Sequence, residues 1–121
     1  MTVDEEVRAF NDAFERALAE QDAEALIALY ADDARLMLAG QPVIQGRPAI
    51  ETVLRAWVKD GPVSTRFETE EILADGELVI DIGHTVQAGG RSKYVVVHRR
   101  QADGSLRIAV DAPTSDGVAT D

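Results

Sequence analysis

The sequence predicts an α+β fold, with helices in the first half and a long antiparallel meander of strands in the second. Three observations predict it. Apolar residues recur at helical spacing over residues 7–18 and again over residues 50–58. From Val63 onward they alternate with the strand period. The strand region is punctuated by Asp75-Gly76, Gly89-Gly90 and Asp103-Gly104, dipeptides that suit tight hairpin turns. Helices gathered on one face of an antiparallel sheet bury both sets of apolar residues.

The chain's 121 residues suit a single domain, 1–121, with residues 117–121 as a loose tail. Twelve Lys and Arg against 22 Asp and Glu leave a net charge of −10, which repels phosphate backbones and anionic lipid. Neither nucleic acid nor a membrane is therefore an expected partner. No apolar run approaches the roughly 20 residues of a membrane helix. The acidic opening MTVDEEVRAF resembles neither a signal nor a transit peptide. The absence of cysteine excludes disulfides, thiolate metal sites and cysteine nucleophiles, and fits a cytoplasmic protein.

Thr2 with Glu5 forms a capping-box pattern, so a first helix is expected from about Val3. Its apolar stripe is Val7, Phe10, Phe14, Ala17 and Leu18. Asp22 caps a second helix over residues 23–30, buried through Leu26, Leu29 and Tyr30 and ended by Ala31-Asp32-Asp33. Short strands follow at residues 35–38 and 43–44. Gly46-Arg47-Pro48 opens a third helix, with Pro48 in the first turn where its missing N–H costs nothing. Ile50, Val53, Leu54, Trp57 and Val58 are its buried stripe, and Asp60-Gly61-Pro62 stops it. Strands are then expected over residues 63–73, 77–87, 91–102 and 105–116.

The last hairpin sets the functional question. A two-residue turn at Asp103-Gly104 places Val96 opposite Asp111, His98 opposite Ala109 and Arg100 opposite Arg107. One face then carries Tyr94, Val96, His98, Arg100 and Asp111. The other carries Val95, Val97, Leu106, Ile108 and Val110. A turn at Gly89-Gly90 brings Asp81 opposite His98, on the same polar face. A bulge would flip these assignments. A curved sheet around three helices encloses a cavity, and the polar face would line it.

Several stretches together resemble the NTF2-like superfamily, and most of all its SnoaL-like branch of small bacterial proteins, including SgcJ/EcaC-type members. They are Ala19-Glu20-Gln21-Asp22, Leu29-Tyr30-Ala31-Asp32-Asp33-Ala34 and Gln45-Gly46-Arg47-Pro48-Ala49-Ile50. The second half adds Ser92-Lys93-Tyr94-Val95-Val96-Val97, Arg99-Arg100, Asp103-Gly104, Asp111 and Ser115-Asp116. The resemblance implies a cone of three N-terminal helices packed on a strongly curved, mostly antiparallel sheet. It also implies a Trp where this chain has His98, and another where it has Leu106. Superfamily ketosteroid isomerases carry a pocket Tyr, a proton-shuttling carboxylate and a protonated Asp at the positions of Phe14, Leu38 and Val96. All three are apolar here, which argues against that mechanism.

His98 is the candidate acid/base, because imidazole titrates near neutral pH. Asp111 or Asp81 is the candidate partner that orients it, which makes His98, Asp111 and Asp81 the candidate catalytic set. Tyr94, Val96, Phe14, Tyr30, Trp57 and Leu38 are the candidate ligand-binding residues. The plainer alternative makes His98 a packing residue in place of Trp. The chain has only two His, placed on opposite faces, so no metal site is expected. No phosphate-cradling loop is present, and no cofactor is expected. The expected ligand is a small apolar or weakly polar organic molecule, acted on by isomerase-, dehydratase- or cyclase-type acid/base chemistry. The alternative is a non-catalytic ligand-binding or dimerisation module. The outer face, with Leu78, Ile80, Ile82, Val95, Val97, Leu106, Ile108 and Val110, is expected to pair two copies into a homodimer.

Overall fold

A computed structural model describes residues 1–115, with the side chain of the last of these left out. The expected tail at 117–121, and Asp116 before it, lie outside the described residues. In chain order the elements are α1 (Val3–Ala19), α2 (Ala23–Ala28), β1 (Tyr30–Leu36), β2 (Ile44–Gln45) and α3 (Arg47–Lys59). Then come β3 (Arg66–Asp75), β4 (Leu78–Gln87), β5 (Gly90–Arg100) and β6 (Leu106–Ser115). The strands form one sheet in the order β2-β1-β6-β5-β4-β3. Among the described residues only the β1–β6 pair is parallel. The three helices pack on the sheet as an α+β cone.

The capping box forms as expected: Thr2 Oγ1 accepts from Glu5 N at 3.1 Å, and Thr2 N donates to Glu5 Oε1 at 2.8 Å. All five apolar residues of the α1 stripe are buried, as are Ile50, Leu54 and Val58 of α3. Each fully buried Phe, Leu, Ile or Val adds about 1.5–3 kcal/mol to folding. Arg100 ties the start of α1 to the last hairpin. Its guanidinium donates to both Glu6 carboxylate oxygens, at 2.8 and 2.9 Å.

The second helix stops at Ala28 rather than continuing to residue 30, and the first strand starts at Tyr30 rather than residue 35. Helical periodicity runs on to Tyr30, but β6 captures this stretch. Ile108 N donates to Leu29 O at 2.9 Å, and Tyr30 pairs with Ile108. A long-range ladder outweighs a weak local preference.

The turns also differ from expectation. Gln87 pairs with Gly90, so the β4–β5 turn is Ala88-Gly89. The register shifts by two residues, an even number, and the faces survive. Asp81 sits opposite Val96, and Val79 opposite His98. The last hairpin has a longer loop than the two-residue turn expected. Gln101 N donates to Ser105 O at 2.7 Å around Ala102-Asp103-Gly104, with Gly104 at φ +88°. That positive φ suits glycine. A bulge then follows: Val97 pairs with Val110 but His98 with Ile108, leaving Ala109 unmatched. The extra loop residue and the bulge offset one another, so Val96 meets Asp111 as expected. Between loop and bulge the pairing is Arg100 with Leu106 and His98 with Ile108.

That bulge corrects the expected outer face. Leu106 and Ile108 turn inward and belong to the core, 9% and 1% exposed. The outer apolar surface keeps Leu78 and Val95, both exposed, with Ile80, Ile82, Val97 and Val110 half-buried.

Candidate functional site

The cone encloses a cavity of about 440 Å³. Helix α1 contributes Phe10, Asn11, Phe14 and Leu18 to its wall, and α3 contributes Trp57. Val63, Thr65 and Phe67 close one side. Tyr94, Val96, Ile108, Asp111 and Pro113 come from β5 and β6. Thr85, Gln87 and Ser92 complete the lining at its more exposed end, where Gln87 Nε2 donates to Thr65 Oγ1 at 2.8 Å. The body of the cavity is apolar and aromatic, with few polar groups, the usual make-up of an organic-ligand site.

Two tyrosine–carboxylate pairs stand on the concave face. Tyr30 donates its hydroxyl to Asp111 Oδ2 at 2.6 Å, with both residues buried. Tyr94 donates to Asp81, 3.0 and 3.1 Å from its two oxygens. Asn11 Nδ2 also donates to Asp81 Oδ2 at 3.1 Å and to Thr69 Oγ1 at 3.3 Å. Thr69 Oγ1 closes the network at 3.2 Å from the Tyr94 hydroxyl.

Burial pushes the Asp111 carboxyl up to about 6, against a smaller opposing effect of the Tyr30 hydrogen bond. Burial also raises the Tyr30 hydroxyl well above its ordinary range, as does the neighbouring Asp111 charge. Tyr94 is raised too, chiefly by burial and further by the Asp81 charge. Both phenols therefore stay protonated at neutral pH and act as donors.

His98 departs from expectation. It is fully buried, it does not line the cavity, and neither ring nitrogen has a hydrogen-bond partner among the described residues. The expected pairs with Asp111 and Asp81 do not form, because both carboxylates are taken by tyrosines. Instead His98 meets the Phe10 ring edge-on, 4.5 Å between centroids. Desolvation with no compensating charge pushes its pKa down to about 4. The imidazole is neutral at physiological pH.

Of the expected ligand-binding residues, Tyr94, Val96, Phe14 and Trp57 line the cavity. Tyr30 does not; it lies behind Asp111, to which its hydroxyl is committed. Leu38 does not either; it packs, half-buried, against the core. Asp81 is fully buried, accepts the Tyr94 hydroxyl proton and does not line the cavity. No cluster of three His, Asp or Glu close enough to hold a metal occurs among the described residues. No helix among them is long and apolar enough to cross a membrane.

Asn11 and Thr69 join the site without having stood out in the sequence. Asn11 follows Phe10 inside the apolar arc of α1, and a neutral amide on a buried face was the available signal. Thr69 looked like one more alternating strand residue.

The Tyr94 hydroxyl is one of only two side chains that donate to Asp81 among the described residues. Tyr94→Phe should therefore destabilise the protein by about 1.5–3 kcal/mol, the usual worth of a hydrogen bond to a charged group. Urea denaturation reads this directly. A loss below about 0.5 kcal/mol, the scale of an inert surface change, would show that the hydroxyl does not hold the carboxylate.

The SnoaL-like domain family matches over residues 7–109. The chain belongs to that family. Solved NTF2-like structures agree on the fold. A ketosteroid isomerase-like protein from Erwinia carotovora atroseptica superposes with TM-score 0.72 at 20% identity, over 93% of this chain and 95% of that one. An NTF2-like protein with a cystatin-like fold from Novosphingobium aromaticivorans gives TM-score 0.76 at 24% identity, over 96% and 84%. An NTF2-like protein of unknown function from Pseudomonas putida gives 0.71 at 21%, over 94% and 88%. A comparison with the curated proteins finds no significant match. At these identities the SnoaL-like domain shares its fold with these structures, and its chemistry rests on its own residues.

Proposed function

We propose that this SnoaL-like domain binds a small organic molecule in its cone and that Asp111 is the carboxyl that exchanges protons with it. One observation carries the reading. Among the described residues Asp111 is the only carboxyl in the lining of a largely apolar cavity that holds no Lys, Arg or His, and burial sets its pKa to about 6. Near neutral pH such a carboxyl is present in both forms, the condition for acid/base work. Isomerisation, dehydration and aldol-type cyclisation all turn on such a transfer. Asp81 supports the site by positioning Tyr94. His98, neutral and away from the cavity, is a packing residue in this reading.

The test uses Trp57, the single tryptophan of the chain, which lines the cavity. A neutral bicyclic alcohol such as naphthalene-2-methanol should quench its fluorescence saturably. Affinity should change across a midpoint near 6, where Asp111 titrates, and Asp111→Asn should remove that midpoint. Linear, unsaturable quenching would sink the reading.

A second reading, a dimerisation module, is favoured by the outer sheet face. Leu78 and Val95 are 42% and 38% exposed there, flanked by four half-buried aliphatics. Pairing of two copies would cover them, and two-fold association is the commonest form. Light scattering should give twice the 13.1 kDa chain mass. Leu78→Lys should shift the population toward single chains, whereas a wild-type protein of one-chain mass removes this reading.

A further inference from the structure

The hydrogen bonds around the cavity favour one class of ligand. Both tyrosine protons are committed inward, Tyr30 to Asp111 and Tyr94 to Asp81. Both protons of the Asn11 amide are committed as well, to Asp81 and Thr69. A phenol has one proton and an amide nitrogen two, so these groups have no donor left for a ligand. In this inner cluster what remains is acceptors; the Thr85 and Ser92 hydroxyls and the Gln87 amide lie at the more exposed end, and Trp57 brings an indole N–H. Asp111 lines the cavity, and its Oδ1 takes no hydrogen bond among the described residues. The Asn11 carbonyl oxygen likewise has no partner among them. No Lys or Arg occurs in the lining, so an anionic ligand would be buried uncompensated. Five aromatic rings surround the space: Phe10, Phe14, Trp57, Phe67 and Tyr94. Aromatic faces attract cations. The chain's net charge of −10 draws cations toward it and repels anions.

We propose that the cavity takes a hydrophobic organic amine, an apolar body ending in an ammonium group that donates to Asp111 and lies among the aromatic rings. This rests on the reading of the cone as a small-molecule site and names the class of molecule. The ammonium supplies the donors that the inner polar cluster lacks, and its charge balances a carboxylate whose ionisation is otherwise opposed by burial. The cavity's acid/base residue then works on, or holds, an amine rather than a carbonyl oxyanion, for which the buried polar cluster has no free donor.

Three isosteric probes test it by Trp57 fluorescence: naphthalene-2-methylamine, naphthalene-2-methanol and naphthalene-2-carboxylate. At about pH 7.5 the amine should bind about tenfold or more tighter than the alcohol, and the carboxylate weakest, as expected for one partly desolvated charge pair. At about pH 5 Asp111 is protonated, and the amine's affinity should fall by about tenfold while the amine itself stays charged. Among the described residues the other titratable groups on the concave side are Tyr30, Tyr94, Asp81 and His98, with Arg100 paired to Glu6 toward the last hairpin's tip and outside the lining. The tyrosines are raised, and His98 is neutral above about 4. Helices α1 and α3 present no ionisable side chain to the cavity. Asp111→Asn should bring the amine level with the alcohol; should that variant misfold, the pH comparison on the unaltered chain decides the same point. Equal binding of amine and alcohol at the higher pH, or tighter binding of the carboxylate, overturns the amine and leaves the small-molecule reading intact. Failure of all three probes overturns both.

Discussion

Gly83→Ala is expected to lower stability by about 3 kcal/mol or more, the upper range for overpacking a tight site. Gly83 lies in β4, between Thr69 of β3 and Tyr94 of β5. A Cβ built there would stand 2.1 Å from Glu68 O and 3.0 Å from both Glu68 C and Thr69 Cα. These are backbone atoms, so no side-chain rotation relieves the clash and β3 itself must move. The glycine is needed for space, since its φ is not positive. The consequence reaches the site, because Thr69 is hydrogen-bonded to Asn11 and lies 3.2 Å from the Tyr94 hydroxyl. Thermal unfolding should show a midpoint lower by about 10 °C or more. Weaker probe binding should accompany it. A change below about 1 kcal/mol, the average for any substitution, would show that β3 does not approach β4 this closely.

Nothing about Gly83 stands out in the sequence, and the reason is general. Local period is visible from one segment, whereas the approach of two strands belongs to both. The stripes of α1 and α3 were legible because each helix shows its own buried face. The extent of β1 was not, because Tyr30 continues a helical pattern and is claimed by Ile108, far along the chain. The bulge at Ala109 has no local signature either. It turned Leu106 and Ile108 from the expected outer surface into the core. Asp111 kept its expected place opposite Val96 because a longer loop and a bulge offset each other.

The candidate site was half legible for a similar reason. Alternation placed Asp81, Tyr94, Val96 and Asp111 on the concave face. It could not say how far along the strand the cavity reaches. His98 lies two residues beyond Val96, roughly 7 Å further along β5. There Phe10 of α1 covers it, and the cavity has ended. The expected His–Asp pair is replaced by two Tyr–Asp pairs, with Tyr30 reaching Asp111 from a strand that was expected to be a helix end.

Acidification should therefore move two buried groups in opposite directions, and single variants should separate them. His98 has a folded pKa of about 4 against an ordinary 6.5. Between these values the unfolded chain holds the extra proton, so this contribution is complete above 6.5 and is lost as pH falls toward 4. The loss is on the order of 3 kcal/mol, from about 1.4 per pKa unit. Asp111 is the mirror case, with a folded pKa of about 6 against 3.8. Its folded form holds the extra proton in that window, so its contribution is complete below 3.8 and is lost as pH rises through about 6. It too is worth about 3 kcal/mol. Glu6, Asp33 and Asp103 also have lowered pKa values, so each adds an acid loss that every variant shares. His98→Met keeps the volume and removes the unpaired ring nitrogens. Its advantage over the unaltered chain should grow by about 3 kcal/mol between about pH 7 and about pH 4. Asp111→Asn keeps the shape and removes the titration. Its advantage should be largest near neutrality and shrink by about 3 kcal/mol over the same interval. Urea denaturation at several pH values across this range reads both. Crossing profiles are the expected result, and parallel ones would mean that neither group is buried as described.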